Sequence, residues 1–360
     1  MWRWNHAPIY GVVLVALNVL GLAYGQGQDF RYKENAKQYV MADNVTPLER
    51  RLGTHLPALQ LVSVHTSPEA ERVRVLCWVN TFNATHDRAR AIKATWGRRC
   101  NKLLFMSNVE DATIPTVRVV APPTHEHLWQ KHRFALRLLS REFDVASFDW
   151  ILKCDDDSYV IMDNLKSLLA RHAGTPSEPA LLGHRMTLQP WIMHQAFGDK
   201  QHMPRDYRLL IILFIALTMS LQHQIESAKS GTGGLYYTPG GGGYAFNAAY
   251  LSAITQVLDE PFCIPNAVVP DDWAVSFCML HLQVVPQDTR DGVGRERFHQ
   301  YSPEQVYYWP NDTDVLDRQN WHSDHVGIGW KNGSECCAAD SVTFHYVHDM
   351  ALVEAYLYNT

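Results

Sequence analysis

The sequence predicts an α/β fold built on a largely parallel sheet. Between residues 72 and 171, short apolar segments alternate with segments whose apolar residues recur at helical spacing. The chain has 360 residues, of which 46% are hydrophobic and 19% are charged, so a sizeable core can form. A net charge of −5 provides no basic surface, so nucleic-acid binding is not expected.

Strands and helices are predicted in alternation along this region. Strands are predicted at 72–79 (RVRVLCWV), 103–107, 116–120 and 150–153. Helices are predicted at 88–95, 126–143 and 163–171. Ligands of such sheets collect beyond the carboxyl ends of the strands, so we expect functional residues there.

The amino-terminal region predicts entry into the secretory pathway. An uncharged apolar run at 7–24 fits either a marginal membrane span or a secretory signal, and both place the following chain in the lumen. Residues 1–6 are then a cytoplasmic tail, and the polar segment 25–70 is predicted to be a stem with a short helix. Four glycosylation motifs support the lumenal placement, beginning at Asn44, Asn83, Asn311 and Asn332.

Residues 205–238 do not fit the alternating pattern. They contain an uncharged run of 13 residues (LLIILFIALTMSL), which is short for a membrane span and long for a strand. A buried helix is one interpretation. An insertion foreign to the parent fold is the preferred one.

Three adjacent aspartates, Asp155, Asp156 and Asp157, follow the apolar strand at 150–152. Their carboxylates repel one another unless a cation lies among them. Asp155 and Asp157 lie on the same side of an extended chain, so both can bind one ion, and oxygen ligands suit Mn²⁺ or Mg²⁺. The alternative is a solvated acidic turn. The position between two strand-like segments favours a metal–diphosphate site.

Further groups are candidates for the same site. Asp271 and Asp272 precede an apolar segment, where a carboxylate can act as a general base or favour the start of a helix. The glycine run at 240–243 would let the backbone approach a ligand closely, or would form a flexible loop. His345 lies in a strand-like segment and is either structural or a third ligand for Mn²⁺.

In an oxidising compartment most of the seven cysteines should form disulfides. Local spacing suggests the pairs Cys77–Cys100 and Cys263–Cys278, and Cys336–Cys337 would be a vicinal pair. Cys154 is then left over. No CxxC pair is present in the sequence, so a zinc site is not favoured.

With these residues assembled, the chain resembles the β1,3-glycosyltransferase family that includes the core 1 β1,3-galactosyltransferases and the Fringe enzymes. The matching segments occur in family order over residues 72–358. They are VLCWV (75–79), IKATWGRRCNKLLFMS (92–107), WILKCDDDSYV (150–160), GGGGY (240–244), DTRD (288–291), the cysteine pair (336–337) and SVTFHYV (341–347). The stretch PDD at 270–272 looks more Fringe-like, whereas IKATW and the paired cysteines favour the core 1 branch.

The resemblance implies a GT-A glycosyltransferase fold at 71–358, with a Rossmann-like nucleotide-binding half joined to an acceptor-binding half. It implies inverting transfer of galactose from UDP-galactose to the 3-hydroxyl of GalNAc-α-Ser/Thr on glycoproteins, with Mn²⁺ as cofactor. It also implies a type II Golgi membrane protein, which favours an uncleaved anchor at 7–24, and often a homodimer.

The resemblance assigns roles residue by residue. The metal ligands match Asp155, Asp157 and His345. The acidic base matches Asp272, with Asp271 beside it. The nucleotide-facing positions match Asn80 and Lys131, with Asp155 or Asp156 contacting the ribose. The donor loop matches Gly241, Gly242 and Gly243. The tryptophan that stacks on the acceptor is Trp309 or Trp321.

Two other functions stay open on the sequence alone. One is a Fringe-like β1,3-N-acetylglucosaminyltransferase, and the other is an inactive, chaperone-like relative that binds the true enzyme. The retained DDD motif and His345 argue against the inactive relative. The segment 205–238 has no family counterpart and precedes the glycine run, so its presence in the protein would be expected to disturb the site.

Overall fold

The computed structural model describes residue 33 and residues 35–172, 177–187, 236–309 and 331–359. The apolar run at 7–24, all but the last three residues of the segment 205–238, and Trp321 lie outside the described residues. Within the described ranges, no helix is both long and apolar enough to cross a membrane.

The strands of the described chain form three sheets. In chain order they are β1 (Val75–Asn80), β2 (Lys102–Ser107), β3 (Thr116–Arg118), β4 (Trp150–Asp155), β5 (Tyr159–Val160), β6 (Leu181–Gly183), β7 (Met186–Thr187), β8 (Tyr236–Tyr237), β9 (Tyr244–Phe246), β10 (Phe298–His299) and β11 (Thr343–Phe344). The main sheet has the order β3-β2-β1-β4-β9-β6. Strands β1 to β4 pair in parallel, whereas β9 pairs antiparallel with both β4 and β6. The predicted α/β fold with a largely parallel sheet is therefore confirmed.

The helices follow the predicted alternation closely. They are α1 (Pro47–Leu52), α2 (Leu56–Leu59), α3 (Pro68–Arg72), α4 (His86–Ala94), α5 (Leu128–Glu142), α6 (Met162–Arg171), α7 (Ala248–Val257), α8 (Asp271–His281), α9 (Pro303–Tyr308) and α10 (Met350–Tyr358). All six residues of β1 are buried, as expected for a strand covered on both faces. Side chains that alternate along β1 and β4 contribute to two separate hydrophobic clusters, one on each side of the sheet.

The segment assigned to a stem enters the core instead. Thr46 begins α1 with a capping box, in which its hydroxyl accepts from the Glu49 N–H and the Glu49 carboxylate accepts from the Thr46 N–H. Leu52, Leu56 and Leu59 are at most 2% exposed and belong to the cluster that also contains alternate side chains of β1. Residues 47–62 therefore pack into the same core as β1, upstream of the boundary predicted at residue 71.

The cysteines pair as expected from the sequence. Disulfides join Cys77 to Cys100, Cys263 to Cys278 and Cys336 to Cys337. Cys154 is a buried free cysteine. The first disulfide ties β1 to the segment that precedes β2, and so fixes the start of the parallel pair.

Candidate active site

The carboxyl ends of β1 and β4 meet at one edge of the main sheet. In the register of these two strands, Asn80 lies beside Asp155. A second, three-stranded sheet brings a distant part of the chain to the same edge, because β11 pairs antiparallel with β5 and places Phe344 beside Tyr159. The Val347 N–H donates to the carbonyl of Asp157 at 2.9 Å, which completes this junction. The acidic motif and His345 are therefore neighbours in space although 188 positions separate Asp157 from His345.

Asp157 and His345 form the closest pair of predicted metal ligands. Asp157 Oδ1 lies 3.0 Å from His345 Nε2, and His345 Nδ1 lies 3.0 Å from the carbonyl oxygen of Gln300. Because a carbonyl only accepts, the Nδ1–H of His345 donates to it, so Nε2 is the nitrogen that faces the carboxylate. Burial opposes ionisation of Asp157, but His345 and Arg88 outweigh it and hold the pKa of Asp157 below its ordinary value.

Asp155 does not join that pair. Its carboxylate faces the ammonium group of Lys153 at 3.5 Å. Among the described residues, no three His, Cys, Asp or Glu side chains lie close enough together to share one ion. The three-ligand shell of Asp155, Asp157 and His345 is therefore not assembled in this structure.

The carboxylate of Asp156 is bonded to other side chains of the protein. It accepts hydrogen bonds from the hydroxyls of Thr81 at 2.6 Å and Thr85 at 2.5 Å, and it faces Arg88 at 3.5 Å. Burial raises the pKa of Asp156, and the two threonine hydroxyls partly offset this effect. Asp156 thus anchors the loop that follows β1. The geometry gives no support to the predicted contact between Asp156 and a ribose.

The glycine run is packed tightly around the acidic motif. A Cβ atom on Gly241 would lie 2.1 Å from the His345 ring, and one on Gly240 would lie 2.4 Å from the Lys153 ammonium. Gly243 has φ +72°, in the region that favours glycine. Ser158 donates to the carbonyl of Gly241 at 2.7 Å, so the loop is fixed against the end of β4. The glycines therefore let the backbone approach Lys153 and His345 closely. The loop is packed and hydrogen-bonded, unlike the flexible loop that was the alternative prediction.

Asp271 and Asp272 begin α8, as the helix-start interpretation predicts, and differ sharply in environment. Asp271 is 3% exposed and contacts His132 Nδ1 at 2.9 Å and Lys153 Nζ at 3.0 Å. Asp272 is partly exposed and accepts hydrogen bonds from the backbone N–H of Trp273 at 2.9 Å and of Gly240 at 3.3 Å. Desolvation, followed by the charge of Asp271, raises the pKa of Asp272 to about 7. Of the two carboxylates, Asp272 has the exposure and the proton affinity of a base.

Lys131 and Asn80 line the same edge. The Lys131 ammonium donates to the carbonyl of Thr81 at 2.5 Å and lies 3.9 Å from the centre of the Phe82 ring. Burial lowers the pKa of Lys131 to about 8, against the charges of the nearby aspartates, so the group is mostly protonated at neutral pH. Asn80 accepts from the indole N–H of Trp78 at 2.9 Å, while its own amide nitrogen is buried without a partner in the described structure.

Trp309 is only 7% exposed and packs against Tyr301, with ring centres 5.4 Å apart. A more open aromatic surface lies at Tyr346, which is 42% exposed and stacks on His345 at 3.8 Å. Neighbouring residues of a strand normally point to opposite faces, and the positive φ of +50° at Tyr346 turns the chain so that both rings meet.

Sequence reasoning missed four residues of this site: His132, Lys153, Arg88 and Tyr346. The sequence does contain a signal for Lys153. A lysine that follows the apolar residues 150–152 in the same strand is expected to be buried, and a buried ammonium needs a charged partner. No comparable pattern marks His132 or Arg88, whose roles arise from packing of α5 and α4 against the sheet edge.

A largely parallel sheet whose edge combines an acidic motif, a close-packed glycine loop and a carboxylate with a raised pKa is consistent with the GT-A fold of glycosyltransferases. A family model described as Fringe-like matches residues 73–308, which is more than half of the chain. The chain therefore belongs to the Fringe-like family.

Individual relatives agree with this assignment. The chain is 27% identical over 309 residues to glycoprotein-N-acetylgalactosamine 3-beta-galactosyltransferase 1 of Xenopus laevis, covering 85% of this chain and 71% of that protein. It is 24% identical over 254 residues to the beta-1,3-glucosyltransferases of Mus musculus and Homo sapiens. Those matches cover 69% of this chain but only 41% and 40% of the two relatives.

Proposed function

We propose that this chain transfers galactose from UDP-galactose to the 3-hydroxyl of N-acetylgalactosamine α-linked to Ser or Thr of glycoproteins, with inversion at the anomeric carbon. The donor and acceptor are supported by the similarity to the Xenopus galactosyltransferase over 85% of the chain. The observation that carries the chemistry is Asp272, a half-buried residue whose carboxyl has a pKa of about 7 and accepts a hydrogen bond from the glycine loop. A group that exchanges a proton near neutral pH is suited to deprotonate a sugar hydroxyl.

Asp157 and His345 are the residues that would hold Mn²⁺. Two side chains can bind the same ion only if their donor atoms lie side by side. The distance from Asp157 Oδ1 to His345 Nε2 is 3.0 Å, which fits this arrangement. Sites for nucleotide phosphates commonly use one or two protein ligands, with water and phosphate completing the shell, so a third protein ligand is not required. When bound, the ion would offset the negative charge that develops on the departing UDP.

The chain's own residues supply the remaining steps. The backbone at Gly240 and Gly241 packs directly against Lys153 and His345, and so holds the start of the glycine loop at this edge of the sheet. The ammonium of Lys131 places a positive charge beside Thr81, at the end of β1, where it can offset the charge of a nucleotide diphosphate. Asp272 takes the proton from the acceptor 3-hydroxyl, whose oxygen attacks opposite the leaving group, so an α-linked donor gives a β-linked product.

A donor panel tests the proposed substrates. Purified lumenal protein is incubated with a GalNAc-α-Thr peptide, Mn²⁺ and UDP-galactose, UDP-GlcNAc, UDP-GalNAc or UDP-glucose, and the product linkage is determined by NMR. We expect transfer from UDP-galactose in a β1,3 linkage, lost with EDTA and restored by Mn²⁺. Transfer from UDP-GlcNAc would identify a Fringe-like enzyme instead. Absence of both transfer and UDP binding in the presence of Mn²⁺ would identify an inactive relative.

The role of Asp272 is tested separately. We expect Asp272→Asn to lower kcat about 10²-fold or more, because the amide cannot accept the proton. The base works in its ionised form, so kcat of the unaltered protein should rise with pH through about 7 and fall below it. The control is Asp87→Asn, since the Asp87 side chain is 92% exposed and pairs only with the exposed Arg90 among its described contacts. Equal rates for both variants would refute the assignment of the base.

We also propose the location of a type II Golgi membrane protein, as the sequence predicts. Two observations support a lumenal placement: three disulfides, and solvent exposure of the glycosylation motif residues Asn44 and Asn83. Sensitivity of the expressed protein to peptide-N-glycosidase, with carbonate-resistant membrane association, is the expected result. Secretion of a soluble form from which residues 1–24 are missing would show a cleaved signal instead. A homodimer is tested on the same material by light scattering.

A further inference from the structure

Lys153 is a fully buried ammonium in the middle of the site. It lies on β4, is 0% exposed, and is flanked along the strand by the buried residues Leu152 and Cys154. Burying a charged group costs several kcal/mol unless it is paired well, and an aliphatic residue would fit a central parallel strand without that cost. The lysine therefore needs an explanation beyond stability.

The ammonium joins the two acidic motifs of the chain. It lies 3.5 Å from Asp155, in the motif after β4, and 3.0 Å from Asp271, at the start of α8. Burial disfavours its charge, but the carboxylates of Asp155, Asp271 and Asp272 outweigh burial and raise the pKa of Lys153. Lys153 is therefore positively charged at neutral pH.

Asp271 is held from two sides. Burial alone would raise the pKa of Asp271, but the charge of Lys153 and the hydrogen bond from His132 lower it far below its ordinary value. Burial lowers the pKa of His132, so this side chain is neutral and donates through Nδ1 to the carboxylate. Asp271 is therefore a fixed negative charge directly beside Asp272.

We propose that Lys153 is a positioning residue for transfer, whose buried ammonium fixes the charge and direction of Asp271 and, through Asp271 and Gly240, the geometry and proton exchange of Asp272. This inference rests on the proposed role of Asp272 as the base. Gly240 packs closely against the ammonium, because a Cβ there would lie 2.4 Å from Lys153 Nζ, and the Gly240 N–H donates to Asp272. One ammonium thereby ties the base to the start of the glycine loop.

The ionisable groups that act on Asp272 come from each element packed against it. Within the described chain they are Asp271 on α8, Lys153 on β4, Tyr237 on β8 and Tyr244 on β9. Burial raises the pKa of both tyrosines, so these phenols stay neutral. The charges that set the titration of Asp272 are then those of Asp271, which favours proton binding, and Lys153, which opposes it.

Opposite shifts of the pH–rate profile test this arrangement. Lys153→Met removes the cation, so the acidic limb of kcat should move to higher pH by about one unit. Asp271→Asn removes the anion, so the limb should move to lower pH by about one unit. The double variant Lys153→Met/Asp271→Asn lacks both charges and should give an intermediate limb. Lys166→Met is the matched control, because Lys166 is partly buried on α6 and senses the charge of Asp163 rather than this cluster.

The shifts are also measured without turnover. The ¹³C carboxyl resonance of Asp272, assigned by its absence in Asp272→Asn, should titrate with the same displacements in each variant. If Asp272→Asn is inactive and neither Lys153→Met nor Asp271→Asn moves this titration, the inference fails while the proposed function stands. If the titration moves as expected but Asp272→Asn keeps full activity, the proposed base fails instead.

Should Lys153→Met not fold, the other variants still decide the question. The double variant leaves no unpaired buried carboxylate, so it should fold even where Lys153→Met does not. A downward shift in Asp271→Asn, together with a limb in the double variant that lies above that of Asp271→Asn, supports the inference. An unchanged limb in both overturns it.

Discussion

Gly241→Ala is the substitution whose effect is best defined by the structure. A Cβ atom at this position would lie 2.1 Å from Cε1 of His345 and 2.4 Å from both ring nitrogens. The imidazole would have to move by about 1.3 Å to reach the 3.4 Å at which ordinary contact begins. It cannot move freely, because its Nδ1–H donates to the Gln300 carbonyl at 3.0 Å and its face stacks on Tyr346 at 3.8 Å.

The displacement predicts losses of both activity and stability. Misplacing a catalytic or ligating group by about 1 Å can lower the rate about 10²-fold, so we expect a fall of that size in kcat/KM. Forcing extra volume into a packed site costs about 1–3 kcal/mol, which should appear as a lower Tm. Weaker binding of UDP in the presence of Mn²⁺, measured by calorimetry, should accompany both effects, because His345 is a proposed ligand.

The control is Gly292→Ala. Among the described residues other than its two chain neighbours, none has an atom within 4 Å of the Cβ that would be added there, and the φ of Gly292 is not positive. Activity should therefore be unchanged and stability altered by no more than about 0.5 kcal/mol. His345→Ala removes the clashing ring, so stability measurements on Gly241→Ala, His345→Ala and the double variant form a cycle. We expect Gly241→Ala to cost less in the His345→Ala background, with a coupling of about 0.5–3 kcal/mol. Wild-type kcat/KM and Tm for Gly241→Ala would refute the close packing of the loop on the imidazole.

Two further predictions concern the core. Leu59→Ala should lower the free energy of unfolding by about 2–5 kcal/mol in denaturant, because Leu59 is fully buried. The control Val40→Ala, at a residue that is 86% exposed, should change it by less than about 0.5 kcal/mol. Equal effects would contradict the packing of residues 47–62 in the core. Cys154 should resist N-ethylmaleimide in the native protein and react fully in denaturant, because it is a free thiol with 0% exposure; rapid native labelling, followed by mass spectrometry, would contradict its position in the core.

Periodicity located the main sheet because buried parallel strands are continuous apolar runs, and such runs are visible in the sequence. The same reasoning failed for the acidic motif for a physical reason. Alternation of side chains holds only within a strand, and β4 ends at Asp155 while Asp156 and Asp157 lie in a turn. Asp157 therefore faces His345, and Asp155 faces Lys153.

The polar composition of residues 25–70 conceals that part of this segment enters the core. The segment 25–70 is polar overall, yet Leu52, Leu56 and Leu59 recur at spacings of four and three, the spacing of a helical apolar face. Contacts between distant parts of the chain are harder to read. The pairing of β11 with β5 brings His345 to Asp157, and nothing in the local sequence of either strand specifies its partner.

The three consecutive aspartates make three separate interactions and do not act as one cluster. Asp156 is bonded to Thr81 and Thr85 and fixes the loop after β1. Asp157 faces His345 at a distance suited to two ligands of one ion. Asp155 faces Lys153, which in turn holds Asp271 beside the candidate base. Because each carboxylate has a different partner, their mutual repulsion is offset by three different interactions, and the strand end carries all three charges without requiring that one cation bind them together.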